Sequence, residues 1–186
     1  MTGNRTYNKV FCVGMPKTGN HSLCAALMRL GFKTKHHSPI FADKMYVNDS
    51  NFGKGWDATT NFGELQYAWL DDVFPKSKFI LTERNIDNWI NSVQAAWKDK
   101  CLKTLRPSPA NQLNRMSVFR ALHISNRNLL KEAYVSHSLS VKNYFKDRPD
   151  DLLVINICEN GKDSGMWRVI CDFLRMDAPS GDFLWK

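Results

Sequence analysis

Val10-Phe11-Cys12-Val13-Gly14-Met15-Pro16-Lys17-Thr18-Gly19-Asn20-His21-Ser22-Leu23 is the stretch from which the fold is read. Its first four residues are apolar without alternation, as a strand reads when helices cover both faces of its sheet. Leu23, Leu27 and Leu30 then recur at helical spacing, and Gly31 follows as a C′ residue. Gly14 to Ser22 therefore joins a buried strand to a helix. At such a helix start the backbone N–H groups converge and carry the positive end of the helix dipole, so phosphate is the natural occupant. Gly14 and Gly19 allow a tight turn and close approach to an anion, and Lys17 adds a mobile cation.

The same strand-then-helix pattern recurs along the chain. Phe79 to Thr82 precedes Ile86, Trp89, Ile90, Val93 and Trp97 at helical spacing. Leu152 to Ile157 precedes Trp167, Ile170, Cys171 and Leu174. Weaker units are strands at Phe32 to His37 and Trp56 to Thr60. The latter leads into a helix through Leu65, Trp69 and Val73 that ends before Pro75. Asn111 to Tyr134 reads as a long helix, continuing or restarting towards Phe145. Repeated alternation of this kind predicts an α/β fold, a doubly wound parallel sheet flanked by helices. No repeat or domain boundary interrupts it, so residues 1–186 are expected to form one domain.

A formal net charge of +8 favours an anionic partner. Five cysteines make an odd count with no C-x-x-C pair and no metal-like spacing, which points to a reducing compartment. Met1 to Lys9 is polar, without the apolar core of a signal peptide, and no apolar run approaches the roughly 20 residues that span a bilayer. The expectation is a soluble, cytoplasmic protein without a membrane partner. Aromatic and basic residues do not interleave as on a nucleic-acid surface.

The glycine loop has the spacing of a P-loop but not its chemistry. A Walker loop, G-x-x-x-x-G-K-[ST], places Lys on the terminal phosphates and Ser/Thr on magnesium. Here Asn20 and His21 occupy those two places, the lysine has moved to position 17, and no Walker B aspartate closes the second strand. Magnesium-dependent NTP hydrolysis loses two essential parts, while a phosphate cradle is kept. Arg84 closes the second strand on the side where parallel α/β sheets bind ligands, and Ser92 lies in the next helix, capped by Asn85 or Asp87. Arg supplies a planar fork for a phosphate and Ser one directed hydroxyl, so the two could share a second anion.

Together these segments resemble a known family. Pro16-Lys17-Thr18-Gly19-Asn20-His21-Ser22-Leu23 is similar to the P-K-T-G-T-T-x-L phosphosulfate-binding loop of sulfotransferases. Lys78 to Val93 resembles their second signature, with Arg84 and Ser92 eight residues apart. Trp56-Asp57-Ala58-Thr59, Phe74-Pro75 and Leu152 to Leu174 are similar to the smaller sulfotransferase-like P-loop proteins. The resemblance implies a P-loop NTPase-like three-layer sandwich that uses 3′-phosphoadenylyl sulfate, gives adenosine 3′,5′-bisphosphate and needs no metal. It implies that Lys17, Thr18, Gly19, Asn20, His21 and Ser22 hold the 5′-phosphosulfate, with Lys17 on the bridging oxygen. Arg84 and Ser92 would hold the 3′-phosphate. Asn20-His21 stands where the family usually has Thr-Thr, and both side chains are expected to donate to phosphate.

Transfer to a hydroxyl needs a base near the acceptor. The candidates are Asp57, His37 and its neighbour His36; Asp57 is expected to end a strand on the ligand side. The expected acceptor is a small molecule or carbohydrate, seated by Pro39 to Gly55 and by a loop at Cys101 to Ala110. Lys98, Lys100, Lys103 and Arg106 read first as a solvated charged loop, with an anionic acceptor as the alternative. Two competing readings are a P-loop nucleotide kinase or NTPase, and a non-catalytic nucleotide- or nucleic-acid-binding module.

Overall fold

The computed structural model describes residues 6–36, 55–60, 67–103, 126–160 and 165–183. The strands are β1 (Val10–Cys12), β2 (Thr34–His36), β3 (Ala58–Thr60), β4 (Lys78–Thr82) and β5 (Leu152–Ile155). The helices are α1 (Asn20–Arg29), α2 (Tyr67–Val73), α3 (Ile86–Lys103), α4 (Arg127–Tyr144), α5 (Ile157–Asn160) and α6 (Gly165–Leu174). A 3-10 turn at Pro149–Asp151 leads into β5. The strands form one parallel sheet in the order β2-β3-β1-β4-β5. This is the expected α/β fold with helices on both faces.

Side-chain alternation along β1 explains the three layers. Val10 and Cys12 face one side with Ile80, Leu23 and Leu27 of α1, and Trp167 and Ile170 of α6. Phe11 and Val13 face the other with Phe79, Leu81, Leu70 of α2, Val141 of α4 and Phe145, which caps that helix. Phe11 packs on Phe74 and Phe79 at centroid separations of 5.6 and 5.5 Å, and Phe79 on Phe145 at 4.7 Å. Each such fully buried ring stabilises the fold by about 1.5–3 kcal/mol. The unalternating apolar run of the sequence is thus a strand with a core on each face. A third cluster of Met15, Trp89, Ile90, Val93, Leu130 and Tyr134 joins α3 to α4 next to the glycine loop.

Several boundaries differ from expectation. The third strand starts at Ala58 rather than Trp56, and the last ends at Ile155 because Ile157 already opens α5. Helix α3 runs on through Cys101–Lys103, into the segment expected as a loop. Helix α4 starts at Arg127, where Asn126 caps it by accepting from the N–H groups of Asn128 and Leu129 at 3.1 and 3.2 Å. An Asn side chain that captures these amides sets a helix start, so the helix that holds Tyr134 begins here, and Asn111 to Ser125 lie outside the described residues. His37, Pro39 to Lys54 and Thr104 to Ala110 lie outside the described residues. Among the described residues no helix is long and apolar enough to cross a membrane.

Candidate active site

The loop after β1 lies at the carboxyl edge of the sheet, where the chain order reverses about β1. Gly14 is required by space: a Cβ there would lie 1.9 Å from Thr82 Oγ1 and 2.6 Å from the Thr82 carbonyl oxygen. Gly19 is required by conformation, with φ at 99°, and it is the N-cap of α1. Lys17 also sits in the left-handed region at φ 72°. A non-glycine residue there is strained, and such strain clusters at ligand clamps. As N-cap, Gly19 has no side chain to accept the first amides of α1, and the first turn carries no acidic residue. Helices α3 and α4 differ, since Asn85 and Asn126 occupy that place.

Asn20 is buried, and its side chain is spent inside the loop. Nδ2 donates to the carbonyls of Gly14 and Met15 at 3.3 and 3.2 Å. Oδ1 accepts from Thr82 Oγ1 at 2.7 Å and from the Cys12 thiol at 3.2 Å. Thr18 Oγ1 donates to the Met15 carbonyl at 2.5 Å and lies 2.6 Å from Thr82 Oγ1. The expectation that the Asn20 side chain donates to phosphate is therefore corrected. An amide at this position binds the turn's own carbonyls and ties the loop to β4 instead.

Trp89, fully buried in α3, donates its indole N–H to the Pro16 carbonyl at 2.8 Å. Arg84 Nη1 donates to the Lys17 carbonyl at 3.2 Å, so the second basic group meets the glycine loop directly. The carboxylates beside Arg84 are engaged elsewhere. Glu83 pairs with Lys142 at 2.8 Å and accepts from Ser138, and Asp87 pairs with Arg127 at 3.0 Å. Arg84 Nε is buried and has no hydrogen-bond partner among the described residues. Tyr134 holds the Arg84 backbone, accepting from its N–H at 2.7 Å and donating to its carbonyl at 2.9 Å. Burial is the main reason that the Tyr134 phenol is pushed up to about 12, with Glu83, Cys158 and Glu159 adding to it. Glu159 Oε1 accepts from the N–H of Asn85 at 3.0 Å, which orders the turn after Arg84. Asn85, not Asp87, is the cap of α3, and Ser92 lies half-buried two turns into that helix.

Asp57 is a correction. The strand begins after it, so it stands at the amino end of the sheet, opposite the glycine loop. There its Oδ2 accepts from the N–H of Lys33 at 3.0 Å, across the start of β2. It is a strand-entry residue at the edge away from the glycine loop. His37 lies outside the described residues, but His36 ends β2 on the ligand side. Its Nδ1 is 2.8 Å from Thr60 Oγ1, and its ring packs on His21 with centroids 3.7 Å apart.

Trp89, Tyr134, Thr82 and Glu159 were not foreseen as site residues. The signal available for the first two was chemical: a Trp or Tyr buried in a core needs a partner for its N–H or O–H. Among the described residues no group of three or more His, Cys, Asp or Glu is arranged to hold a metal.

The family described as a sulfotransferase domain matches residues 9–52 and 48–185. No curated protein matches the chain.

Proposed function

The chain belongs to the sulfotransferase-domain family, and from that premise we propose that it moves a sulfuryl group from 3′-phosphoadenylyl sulfate to a hydroxyl or amine of a small-molecule or carbohydrate acceptor. The observation that carries this reading is the 3.2 Å contact of Arg84 Nη1 with the Lys17 carbonyl. It makes one site of an anion-binding loop and a separate guanidinium, which suits a nucleotide with two phosphate positions. The buried Arg84 Nε, without a partner among the described residues, suits such a ligand, because a phosphate oxygen would satisfy it.

The donor would supply the activated sulfuryl group and a nucleoside bisphosphate as leaving group. The backbone amides from Lys17 to Ser22 would hold the 5′ end at the amino terminus of α1. Lys17, exposed at the rim, would stabilise the charge that develops on the bridging oxygen. Arg84 would bind the 3′-phosphate, helped by Ser92. In-line displacement asks little more of the protein than positioning and charge stabilisation. The kinase alternative is weakened at position 20, where the Walker lysine is replaced by an Asn whose side chain is spent within the loop.

Thermal shift with adenosine 3′,5′-bisphosphate, ADP and ATP, each with and without magnesium, tests the reading. The bisphosphate should stabilise the protein most, independently of magnesium, and Lys17→Ala and Arg84→Ala should each abolish the effect. Magnesium-dependent stabilisation by ATP exceeding that by the bisphosphate would overturn it.

A further inference from the structure

We propose that His21 and His36 form the proton-accepting end of this site, with His21 taking the acceptor's proton and His36 positioning its ring. The inference rests on the sulfuryl-transfer reading above. His21 is the second residue of α1, one step beyond Asn20, and its side chain is exposed. It therefore stands within one turn of the amides that would cradle the transferred group. His36 is the last residue of β2, paired in register with Thr60, the last residue of β3. Both strand ends face the same edge of the sheet as the glycine loop.

The two rings lie 3.7 Å apart at an interplanar angle of 36°. His36 is anchored from beneath by the 2.8 Å contact of its Nδ1 with the buried Thr60 hydroxyl. The buried Thr60 hydroxyl thus holds the half-buried His36 ring on which His21 rests. The other titratable groups on the elements carrying the pair are Lys35 in β2 and Arg29 in α1, with Lys17 in the preceding loop. Lys35 is turned to the Trp56 ring at 5.2 Å, and Arg29 binds the carbonyls of Ser180 and Asp182. Burial pushes the Cys24 thiol up, which keeps it protonated. None of these three elements carries a carboxylate.

In the transfer step the acceptor oxygen forms its bond to sulfur while its proton passes to a ring nitrogen of His21. The sulfur–oxygen bond to the nucleotide phosphate breaks, and its electron pair leaves on that phosphate, beside Lys17. The proton then returns to water from the exposed ring.

The test measures release of adenosine 3′,5′-bisphosphate from 3′-phosphoadenylyl sulfate, with phenol, primary alcohols or water as acceptor, from about pH 5.5 to 9. Binding of the bisphosphate is measured on each protein in parallel. Wild type should show a rate that rises through a histidine-like midpoint. His21→Gln should lower that rate by about 10²- to 10⁴-fold, lose the midpoint, recover in part with added imidazole, and still bind the bisphosphate as wild type does. His36→Gln should lower the rate less and keep the midpoint. An unchanged rate in His21→Gln overturns the proposal, as does loss of bisphosphate binding in that variant, which would make His21 a donor ligand. Wild type that binds the bisphosphate but releases none at any pH also overturns it. Wild type that fails to bind the bisphosphate instead sinks the underlying function, and this proposal with it.

Discussion

Trp89 donates its indole N–H to the carbonyl of Pro16 across 2.8 Å, although the two residues are 73 positions apart. The bond ties the glycine loop after β1 to the helix that follows β4, so the two halves of the candidate site share one rigid brace. Trp89→Phe keeps an aromatic ring in the Met15, Ile90 and Tyr134 cluster but removes the donor. It should cost about 1–3 kcal/mol of stability, because the Pro16 carbonyl loses its partner next to a packed core. Loosening the brace should also weaken binding of adenosine 3′,5′-bisphosphate several-fold. Denaturant unfolding and calorimetric titration check the two effects. Unchanged affinity in a destabilised variant would mean that the brace serves the fold alone.

Asn20 separates two accounts of the loop. If its amide shapes the turn, Asn20→Ala takes the side-chain donor from the Gly14 carbonyl and leaves the Met15 carbonyl and the Thr82 hydroxyl to Thr18, costing about 1–3 kcal/mol. Bisphosphate affinity should then fall together with the melting temperature. Asn20→Asp, nearly the same shape, should bind still less, because it sets a negative charge beneath an anion site. A variant that melts as wild type does but loses binding would restore the side chain as a direct phosphate ligand.

The strand, loop and helix from Val10 to Leu30 were legible because every signal is local: an apolar run, two glycines and a helical repeat. Asp57 was misread for an equally local reason. A strand as short as Ala58–Thr60 has no periodicity to mark its ends, and only its parallel pairing with β1 shows that Asp57 stands at the edge away from the glycine loop. The long helix expected to run through position 126 shows the same weakness, since Asn126 looks like any polar helical residue until it is seen to cap. What sequence could not supply was partnership at distance. Arg84 and Tyr134 lie 50 positions apart, Thr82 and Asn20 lie 62, and the packing of His21 on His36 depends on α1 crossing back over β2. The residue types announced a need for partners without naming them.

His137 predicts a pH dependence of stability. The ring is buried, and its Nε2–H donates to the Val13 carbonyl at 2.8 Å. Burial lowers its pKa below the ordinary histidine value of 6.5, against smaller opposing effects of the Val13 bond and of Glu83. Below that value the unfolded chain takes up a proton that the folded ring resists, so the unfolded state binds more protons and stability falls with falling pH. The contribution of His137 is therefore complete above about pH 6.5 and is lost progressively on acidification. Wild type should show a melting temperature that drops as the pH is lowered from neutrality, and His137→Gln, which can still donate to Val13, should show a shallower drop. Parallel curves for the two proteins would remove His137 as the cause.

Tyr134 carries the sharpest test of how Arg84 is held. Its hydroxyl is both acceptor for the Arg84 N–H and donor to the Arg84 carbonyl, so one phenol fixes the backbone from which the guanidinium extends. With its pKa pushed up to about 12, chiefly by burial, the phenol stays protonated and keeps both bonds throughout the working range. Tyr134→Phe preserves the ring against Trp89, which lies 4.7 Å away centroid to centroid, but strands both backbone groups of Arg84. It should cost about 1–3 kcal/mol of stability. Affinity for adenosine 3′,5′-bisphosphate should fall several-fold, by the same factor at pH 7 and at about pH 9, since the lost group does not titrate between them. Affinity for inorganic sulfate at the glycine loop should fall less, because the Lys17 to Ser22 amides do not depend on this clamp. Equal losses for both anions would show that Tyr134 supports the whole site through α3 and α4 packing, and would end its assignment as the positioning residue of Arg84.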